Sequence, residues 1–252
     1  SATQGPEHVN TNVALVKERK RAQLLMSAIR AWILLISLPA LVLLAFFWLA
    51  PPRHNPFAPV DLTETPGIGT WHKLTRTKRN REVCFAALDD AGVLYTPLED
   101  QKLDGGCGLT NALTLDQTLT PYSATLRMTC GQAAALYSWE RHIARPAAIE
   151  VLGSPIARIE TYGSFSCRNI AGTRRMSQHG LGNAIDVSGF RLEDGRLISV
   201  KTHWDAGGAE QKFLRRLHKG ACDLFSVTLG PEYNAAHADH FHLDMGGGKV
   251  CR

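Results

Sequence analysis

The chain has 252 residues, of which 44% are hydrophobic, and it carries a formal net charge of +5 at pH 7. This hydrophobic content excludes a disordered or fibrous protein and is enough to bury a core. The basic residues are spread along the sequence and form no single stripe, which argues against nucleic-acid binding. We therefore predict a globular domain with appendages and no nucleic-acid partner.

The first strong feature is an apolar run near the N-terminus. Residues 31–50 read AWILLISLPALVLLAFFWLA and contain no charged residue. As a helix, this run would cover about 30 Å, the thickness of a bilayer core. Pro39 is tolerated in membrane helices. A buried core helix is the alternative, but soluble helices of this length usually carry a polar face. The run therefore predicts one transmembrane anchor.

The charges around this run predict its orientation. Only Arg53 follows the run closely, whereas five basic residues precede it: Lys17, Arg19, Lys20, Arg21 and Arg30. By the positive-inside rule, residues 1–30 form a cytoplasmic tail, and the later domain lies on the periplasmic side of the inner membrane. A cleaved signal peptide is the alternative. It is disfavoured because the run is too long and its best cleavage residue, Ala50, is followed by two prolines.

Cysteine usage agrees with an oxidising compartment. All six cysteines follow the apolar run, and they are Cys84, Cys107, Cys130, Cys167, Cys222 and Cys251. They allow up to three disulfides in many pairings. We expect Cys222 to pair with Cys251 and Cys84 with Cys107. The sequence has no CxxC pair, so a cysteine-bound zinc is not predicted.

Composition divides the remaining chain into two parts. Residues 51–80 contain five prolines and little hydrophobic periodicity, which predicts an extracytoplasmic linker. Residues 81–252 mix apolar segments with turn residues throughout. This second part has the size of a single domain.

Periodicity predicts two helices and four strands in this domain. Thr129 is expected to cap a helix over 131–145. A second helix is expected over 209–219, with Phe213, Leu214 and Leu217 as its buried stripe. Strands are expected at 157–162, 183–190, 197–201 and 240–245. Helices followed by clustered strands favour an α+β fold, with a small antiparallel sheet flanked by helices.

The histidines are clustered in a way that suggests a site. Three of the ten fall within the segment 237–242, namely His237, His240 and His242. Along a strand, side chains alternate between faces, so His240, His242 and Asp244 share one face while Phe241, Leu243 and Met245 share the other. The first face is polar and the second is apolar.

A second segment could meet this polar face. His179 and Asp186 lie seven residues apart, across a turn with glycines at 180 and 182 that lets the backbone fold back tightly. Two imidazoles and one carboxylate with an open water position are typical of a catalytic zinc site, although other divalent metals accept the same donors. The alternative is an ordinary hydrogen-bonded network in the core.

These residues resemble a group of zinc metallopeptidases. The stretch SQHGLGNAIDV at 177–187, with the later His240-Phe-His242, is similar to lysostaphin-type peptidases, D-Ala-D-Ala carboxypeptidases and penicillin-insensitive murein endopeptidases. The region 84–252 also resembles the bacterial extensin-like C-terminal proteins. The resemblance implies that His179, Asp186 and His242 bind zinc, and that His240 lies in the active site without being a ligand.

The catalytic base has several candidates. Either His237 or His240 could move the proton between water and leaving amine. Murein endopeptidases of this group carry a histidine at the spacing of His237, whereas carboxypeptidase relatives use a glutamate. This sequence has no matching glutamate, since Glu232 lies several residues too early.

Four further residues are candidates for substrate contacts. Arg168 resembles an arginine that holds the substrate or the developing oxyanion in carboxypeptidase relatives. A surface arginine beside a disulfide is an equally good interpretation. Ser177, Gln178 and Asn183 either bind substrate or support the metal ligands, or they only satisfy the turn.

The sequence therefore leads to one hypothesis and two alternatives. The first is a zinc-dependent hydrolase of amide bonds in peptidoglycan stem peptides or cross-links, as an endopeptidase or a carboxypeptidase. Its partners are peptidoglycan, the membrane through one N-terminal helix, and envelope proteins that the sequence does not identify. The second is a peptidoglycan-binding or envelope-binding module that retains the fold without turnover. The third is a structural zinc domain within a larger envelope complex.

Overall fold

The structure is a computed structural model that describes residues 7–252, with side chains described from residue 16 onward. The chain divides into two compact units, which meet in sequence between Pro51 and Pro52. Each unit is described by itself below.

The first unit is one long helix. Helix α1 runs over Glu7–Leu49, and its part from Val16 to Leu49 is long and apolar enough to cross a membrane. Its large apolar side chains are exposed, including Leu34 and Ile36. The predicted apolar helix over 31–50 is confirmed as a helix. It also extends back to Glu7, so most of the expected tail is helical, and residues 1–6 lie outside the described part.

The second unit begins earlier than predicted. Helix α2 (Thr70–Thr77) places Leu74 in the core, and Leu62 before it is also buried. The buried Lys73 forms an ion pair with Glu64 at 3.3 Å. Residues 52–80 therefore pack within the compact unit, and the prediction that 51–80 is a linker was wrong. Leu62 and Leu74 supply the buried contacts of this segment. Two isolated leucines among prolines form no periodic pattern, so the sequence does not predict their burial.

The next elements form a small antiparallel sheet beside a helix. Helix α3 (Arg81–Asp90) begins at Asn80, whose side chain accepts a hydrogen bond from the Val83 N–H. Strands β1 (Leu94–Pro97), β4 (Ala112–Gln117) and β5 (Leu126–Thr129) form a sheet in the order β1-β4-β5. Between them, β2 (Gln101–Lys102) and β3 (Gly108–Leu109) form a separate short hairpin.

A continuous helical stretch crosses the middle of the unit. Helix α4 (Cys130–Trp139) begins at Thr129, whose hydroxyl accepts from the Gln132 N–H, as the sequence predicts. Helical turns then continue through Glu140–Ala144, α5 (Arg145–Ala147) and Ala148–Leu152. Every residue of α4 is buried, which explains its lack of a polar face.

The second and larger sheet carries the histidine cluster. Its strands are β6 (Ile156–Gly163), β7 (Ala184–Leu192), β8 (Leu197–Ser199), β9 (Val227–Leu229), β10 (Phe241–Asp244) and β11 (Val250–Cys251). The order is β11-β9-β10-β7-β6, and β8 pairs with β7. All pairs are antiparallel except β9 with β11. All four predicted strands are present, with ends that differ by a few residues. The predicted α+β class is confirmed.

Helices cover the buried face of this sheet. Helix α6 (Val200–His203) ends the predicted third strand (197–201) early, and α7 (Gly208–Leu224) buries Phe213, Leu214 and Leu217 as expected. The Trp139 indole N–H donates to the Leu217 carbonyl at 3.1 Å, which joins α4 to α7. The sheet therefore has one face in the core and its polar residues on the other.

Three disulfides stabilise the second unit, and they join Cys84 to Cys130, Cys107 to Cys167, and Cys222 to Cys251. The expected pair Cys222–Cys251 is confirmed. The expected pair Cys84–Cys107 is wrong, because α3 packs against the start of α4 and brings Cys84 to Cys130. Cys107 instead joins the β2–β3 loop to the loop that carries Arg168.

A carboxyl group is buried in the core away from the histidines. Glu140 accepts hydrogen bonds from the hydroxyls of Thr118 and Tyr122, and its other oxygen has no partner in the described part of the chain. Burial raises the pKa of Glu140 to about 7, against the partly compensating effect of these hydroxyls.

Candidate metal centre

The centre of the site is a cross-strand pair. Asp186 on β7 and His242 on β10 lie directly opposite each other in the antiparallel register. Their neighbours Ile185, Phe241 and Leu243 are fully buried. Because side chains alternate along a strand, burial of these apolar residues forces Asp186 and His242 onto the other face together.

His179 reaches this pair from a tight turn. The short helix Gln178–Leu181 follows Ser177, whose hydroxyl accepts from the His179 N–H at 3.3 Å. Gly182 has a φ of +62°, and a Cβ there would lie 2.4 Å from the Leu109 side chain. A Cβ at Gly180 would lie 2.4 Å from Met176 Sδ. The two glycines therefore permit the close packing that places His179.

The three predicted candidate ligands lie close together. His179 Nε2 lies 3.1 Å from His242 Nδ1 and 3.1 Å from an Asp186 oxygen. His242 Nδ1 lies 3.0 Å from the other Asp186 oxygen. Donor atoms at about 2.0–2.2 Å from a tetrahedral zinc lie about 3.3–3.6 Å from each other. A small relaxation of this cluster would accommodate such an ion.

In both imidazoles, the outer ring nitrogen, which faces away from the cluster, forms a hydrogen bond. His179 Nδ1 donates to the Ser164 carbonyl at 2.6 Å, and His242 Nε2 donates to Asp244 at 2.9 Å. Because the outer nitrogens carry these hydrogens, both inner nitrogens would present lone pairs to a bound cation once it displaces the proton that His242 holds in its absence. Histidine ligands of metals usually have this arrangement, with a carbonyl or carboxylate behind them. The donor set therefore fits a divalent cation.

The pKa values of Asp186 and His242 also favour a bound cation. Burial would raise the pKa of Asp186, but hydrogen bonds from His179 and His242 outweigh it and hold this pKa well below its usual range. Burial would lower the pKa of His242, but hydrogen bonds to Asp186 and Asp244 raise it to about 9. The site is built to hold positive charge, whether a proton or a metal ion.

His240 lies beside the candidate ligands and has its own partner. Its Nε2 is 3.5 Å from Asp186, and its Nδ1 donates to Asp239 at 2.8 Å. The Tyr162 hydroxyl donates to the other Asp239 oxygen at 3.4 Å, and the Tyr162 and His240 rings meet edge to face. Asp239 therefore orients the His240 ring, with Nε2 directed toward the centre.

The other two predicted catalytic residues lie at the rim. His237 Nδ1 is 2.7 Å from Asn234, and its ring centre is 5.2 Å from that of His240. Burial and the neighbouring His240 lower the pKa of His237 to about 4, so it is neutral at pH 7. Arg168 Nη2 lies 3.9 Å from Asp186, and its side chain is 55% exposed. Arg168 therefore forms an ion pair with the candidate ligand Asp186, and the His237 ring meets the His242 ring edge to face, with 5.9 Å between their centres.

The residues predicted to contact substrate mainly form hydrogen bonds that stabilise the turn. The Asn183 amide donates to Gln178 at 2.9 Å, and Thr129 donates to Asn183 at 3.1 Å. Ser177 holds the His179 backbone, as described above. These three residues shape the ligand turn, and their capacity for substrate contacts stays a prediction.

Sequence analysis missed the supporting residues. Alternation along the strand predicts the face on which Asp244 lies, and the spacing His242-x-Asp244 is the signal that could identify it as a partner of His242. Asp239 precedes His240 directly, so strand periodicity gave no signal for it. Within the described residues no glutamate reaches the site, and Glu232 forms an ion pair with Arg215.

A second group of candidate donors has a different explanation. His218, Cys222 and Cys251 lie near one another, but the two sulfurs form a disulfide and are not thiolates. Disulfide sulfur is a poor metal ligand because metals bind the thiolate. The His179, Asp186 and His242 cluster is therefore the candidate metal centre.

The fold and site define an α+β domain with a histidine and carboxylate cluster on the polar face of its larger sheet. The family model described as extensin-like protein C-terminus matches residues 82–252, and the chain belongs to this family. The predicted resemblance to the bacterial extensin-like C-terminal proteins is thus confirmed. No curated protein and no solved structure matches the chain.

Proposed function

We propose that this protein is a zinc-dependent hydrolase of amide bonds in peptidoglycan stem peptides or their cross-links. The observation that carries the proposal is the convergence of His179 Nε2, Asp186 and His242 Nδ1, each within about 3 Å of the others, with both outer nitrogens engaged. Such a set leaves room for water and substrate at the remaining positions of the ion. A bound zinc would supply an activated water and polarise the scissile carbonyl.

The surrounding residues would then move protons and hold charge. His240 is the candidate general base, because Asp239 orients its ring and its Nε2 points to the centre. Asp239 would also stabilise the imidazolium that forms when His240 accepts a proton. His237 is a second candidate at the rim. Arg168 is positioned to stabilise negative charge that develops on the substrate oxygen.

The substrate class rests on other observations. The histidine motifs resemble those of cell-wall peptidases, and helix α1 has the length and apolar composition of a membrane anchor. An anchored domain on the periplasmic side would work beside the peptidoglycan layer. These features favour peptidoglycan over a soluble peptide.

The test is digestion of purified, cross-linked muropeptides by the full chain in detergent, with products read by mass spectrometry. Fragments that gain one water, disappear with a chelator and return with zinc would support the proposal. His179→Ala should abolish them, whereas His72→Ala, a change of an exposed histidine on α2, should not. Intact substrate with correctly folded, zinc-supplied protein would contradict a hydrolase.

One observation favours a second candidate function. No described glutamate stands where carboxypeptidase relatives have their base, and this departure is compatible with a peptidoglycan-binding module that has lost turnover. That module would retain muropeptides in a pull-down without cutting them. Persistent binding of uncut substrate with zinc present would favour it over the hydrolase.

A further inference from the structure

A cavity is lined in part by the turn that carries His179. Its volume is about 630 Å³, within the usual range for ligand pockets. Its walls come from the end of α2, from the β2–β3 hairpin and from the turn itself, through Lys78, Lys102, Leu181 and Asn183 among others. Three separate parts of the fold therefore meet around it.

The cavity is positively charged. Lys78, Arg79 and Lys102 line it, and none of the described residues that line it is acidic. Within the described residues, Arg79 and Lys102 have no carboxylate within ion-pair distance. The nearby Asp100 is held by Arg81 at 3.5 Å and by the Asn111 N–H at 2.9 Å. Two cations are thus left facing the cavity with their charge uncompensated.

The third cation is fixed in place. The Lys78 ammonium donates to the carbonyls of Met245 and Gly246, just after strand β10. Burial lowers the pKa of Lys78, and the adjacent Arg79 adds to this effect. Lys78 therefore connects the cavity to the strand that carries His242.

The remaining walls suit a peptide more than a bare inorganic ion. Leu103 and Leu181 are partly exposed there, and Gln101 and Asn111, which have amide side chains, also line the cavity. Asn111 has a φ of +50°, the single positive value among described residues other than glycine. Such backbone strain is common at ligand sites. Apolar walls with amides and guanidinium groups recognise carboxylate-bearing peptides.

The cavity and the candidate metal centre are formed in part by the same segments of the chain. Leu181 and Asn183 belong to the turn that presents His179, and Cys107 of the cavity wall is bonded to Cys167, next to Arg168. We propose that this cavity binds a carboxylate-bearing segment of the peptide stem, beyond the bond that is cut. This inference rests on the proposed function for the identity of the peptide, and the binding site stands on the cavity and its charges.

The experiment measures binding without turnover. The full chain in detergent is titrated calorimetrically, in the presence of chelator, with a soluble stem peptide that carries free carboxylates. The same peptide with its carboxylates amidated is the neutral probe, and inorganic phosphate is the small-anion probe. The test variant is Arg79→Gln/Lys102→Gln. The matched control is Lys201→Gln/Lys212→Gln, which removes the same charge from two exposed lysines elsewhere.

The free-carboxylate peptide should bind the wild type and the control equally, and the test variant about tenfold or more weakly, since two charge-assisted contacts are lost. Arg79→Lys/Lys102→Arg should retain binding, and the affinity should fall with added salt. Equal binding by the test variant and the control would overturn the inference, as would equal binding of the amidated peptide. Phosphate binding as tightly as the peptide would show a small-anion site instead. Because the chelator prevents hydrolysis, failure here is separate from failure of the muropeptide digestion.

Discussion

Asp186 and His242 face each other across two antiparallel strands, with His242 Nδ1 3.0 Å from an Asp186 oxygen. A shift of either strand by one residue would turn its candidate ligand into the core. The burial of Ile185, Phe241 and Leu243 prevents such a shift. The hydrophobic core therefore determines the geometry of the candidate metal centre.

Metal content should depend on this pair and on His179. The full chain purified in detergent and dialysed against zinc should hold about one ion per chain, and His179→Ala or His242→Ala should reduce this to a small fraction, because two donors hold zinc poorly. Elemental analysis by mass spectrometry measures the ratio. His72→Ala should keep the ion. Full zinc content in both ligand variants would refute the assignment.

Asp244 should support the metal through His242. Asp244→Asn keeps the side-chain shape but removes the charge behind His242 Nε2, so zinc affinity should fall about 10-fold to 100-fold. Competition with a chromogenic chelator gives the affinity. The matched control is Asp90→Asn at the exposed end of α3. An unchanged affinity in Asp244→Asn would mean that its contact with His242 has no role in metal binding.

His240 and His237 should matter for turnover and not for metal content. We expect His240→Ala to reduce the rate of muropeptide cleavage by about 10²–10⁴-fold, the usual contribution of general acid–base catalysis, with zinc retained. Asp239→Asn should give a smaller loss, since it acts by orienting the ring. His237→Ala is also expected to reduce the rate. Normal rates in both histidine variants would remove these residues from the mechanism.

Glu140 should make the fold less stable as the pH rises. The pKa of Glu140 is about 7 in the folded protein, against the ordinary value of 4.5, so the folded state binds more protons than the unfolded state between these values. The resulting stabilisation is complete below pH 4.5 and is lost as the pH passes about 7. The difference corresponds to roughly 3 kcal/mol.

Urea unfolding of the full chain in detergent and chelator, at several values from pH 4.5 to 8, measures this loss. Glu140→Gln removes the titration, so the free energy of unfolding should fall less with pH than in the wild type. Glu99→Gln changes an exposed glutamate and should behave as the wild type. Parallel pH profiles for Glu140→Gln and the wild type would contradict a shifted pKa.

Local pattern in the sequence was enough for several elements. Thr129 was predicted as a helix cap, and Phe213, Leu214 and Leu217 as a buried stripe, because capping and helical periodicity depend on neighbours within a few residues. Alternation along β10 placed His240 and His242 on the polar face for the same reason. The motif around His179 and Asp186 gave the candidate ligands.

Only the tertiary structure decided which distant residues meet. The pairing of Cys84 with Cys130 spans 46 residues, and the contact of Lys78 with the end of β10 spans a much longer stretch. Leu62 and Leu74 show no periodic pattern, yet they anchor a segment that reads as a linker. Such contacts depend on how whole elements pack, since many pairings satisfy the same local preferences. The sequence therefore predicts which side chains share a face of a strand. Long-range packing determines the cavity and the hydrogen-bond partners of the three candidate metal ligands.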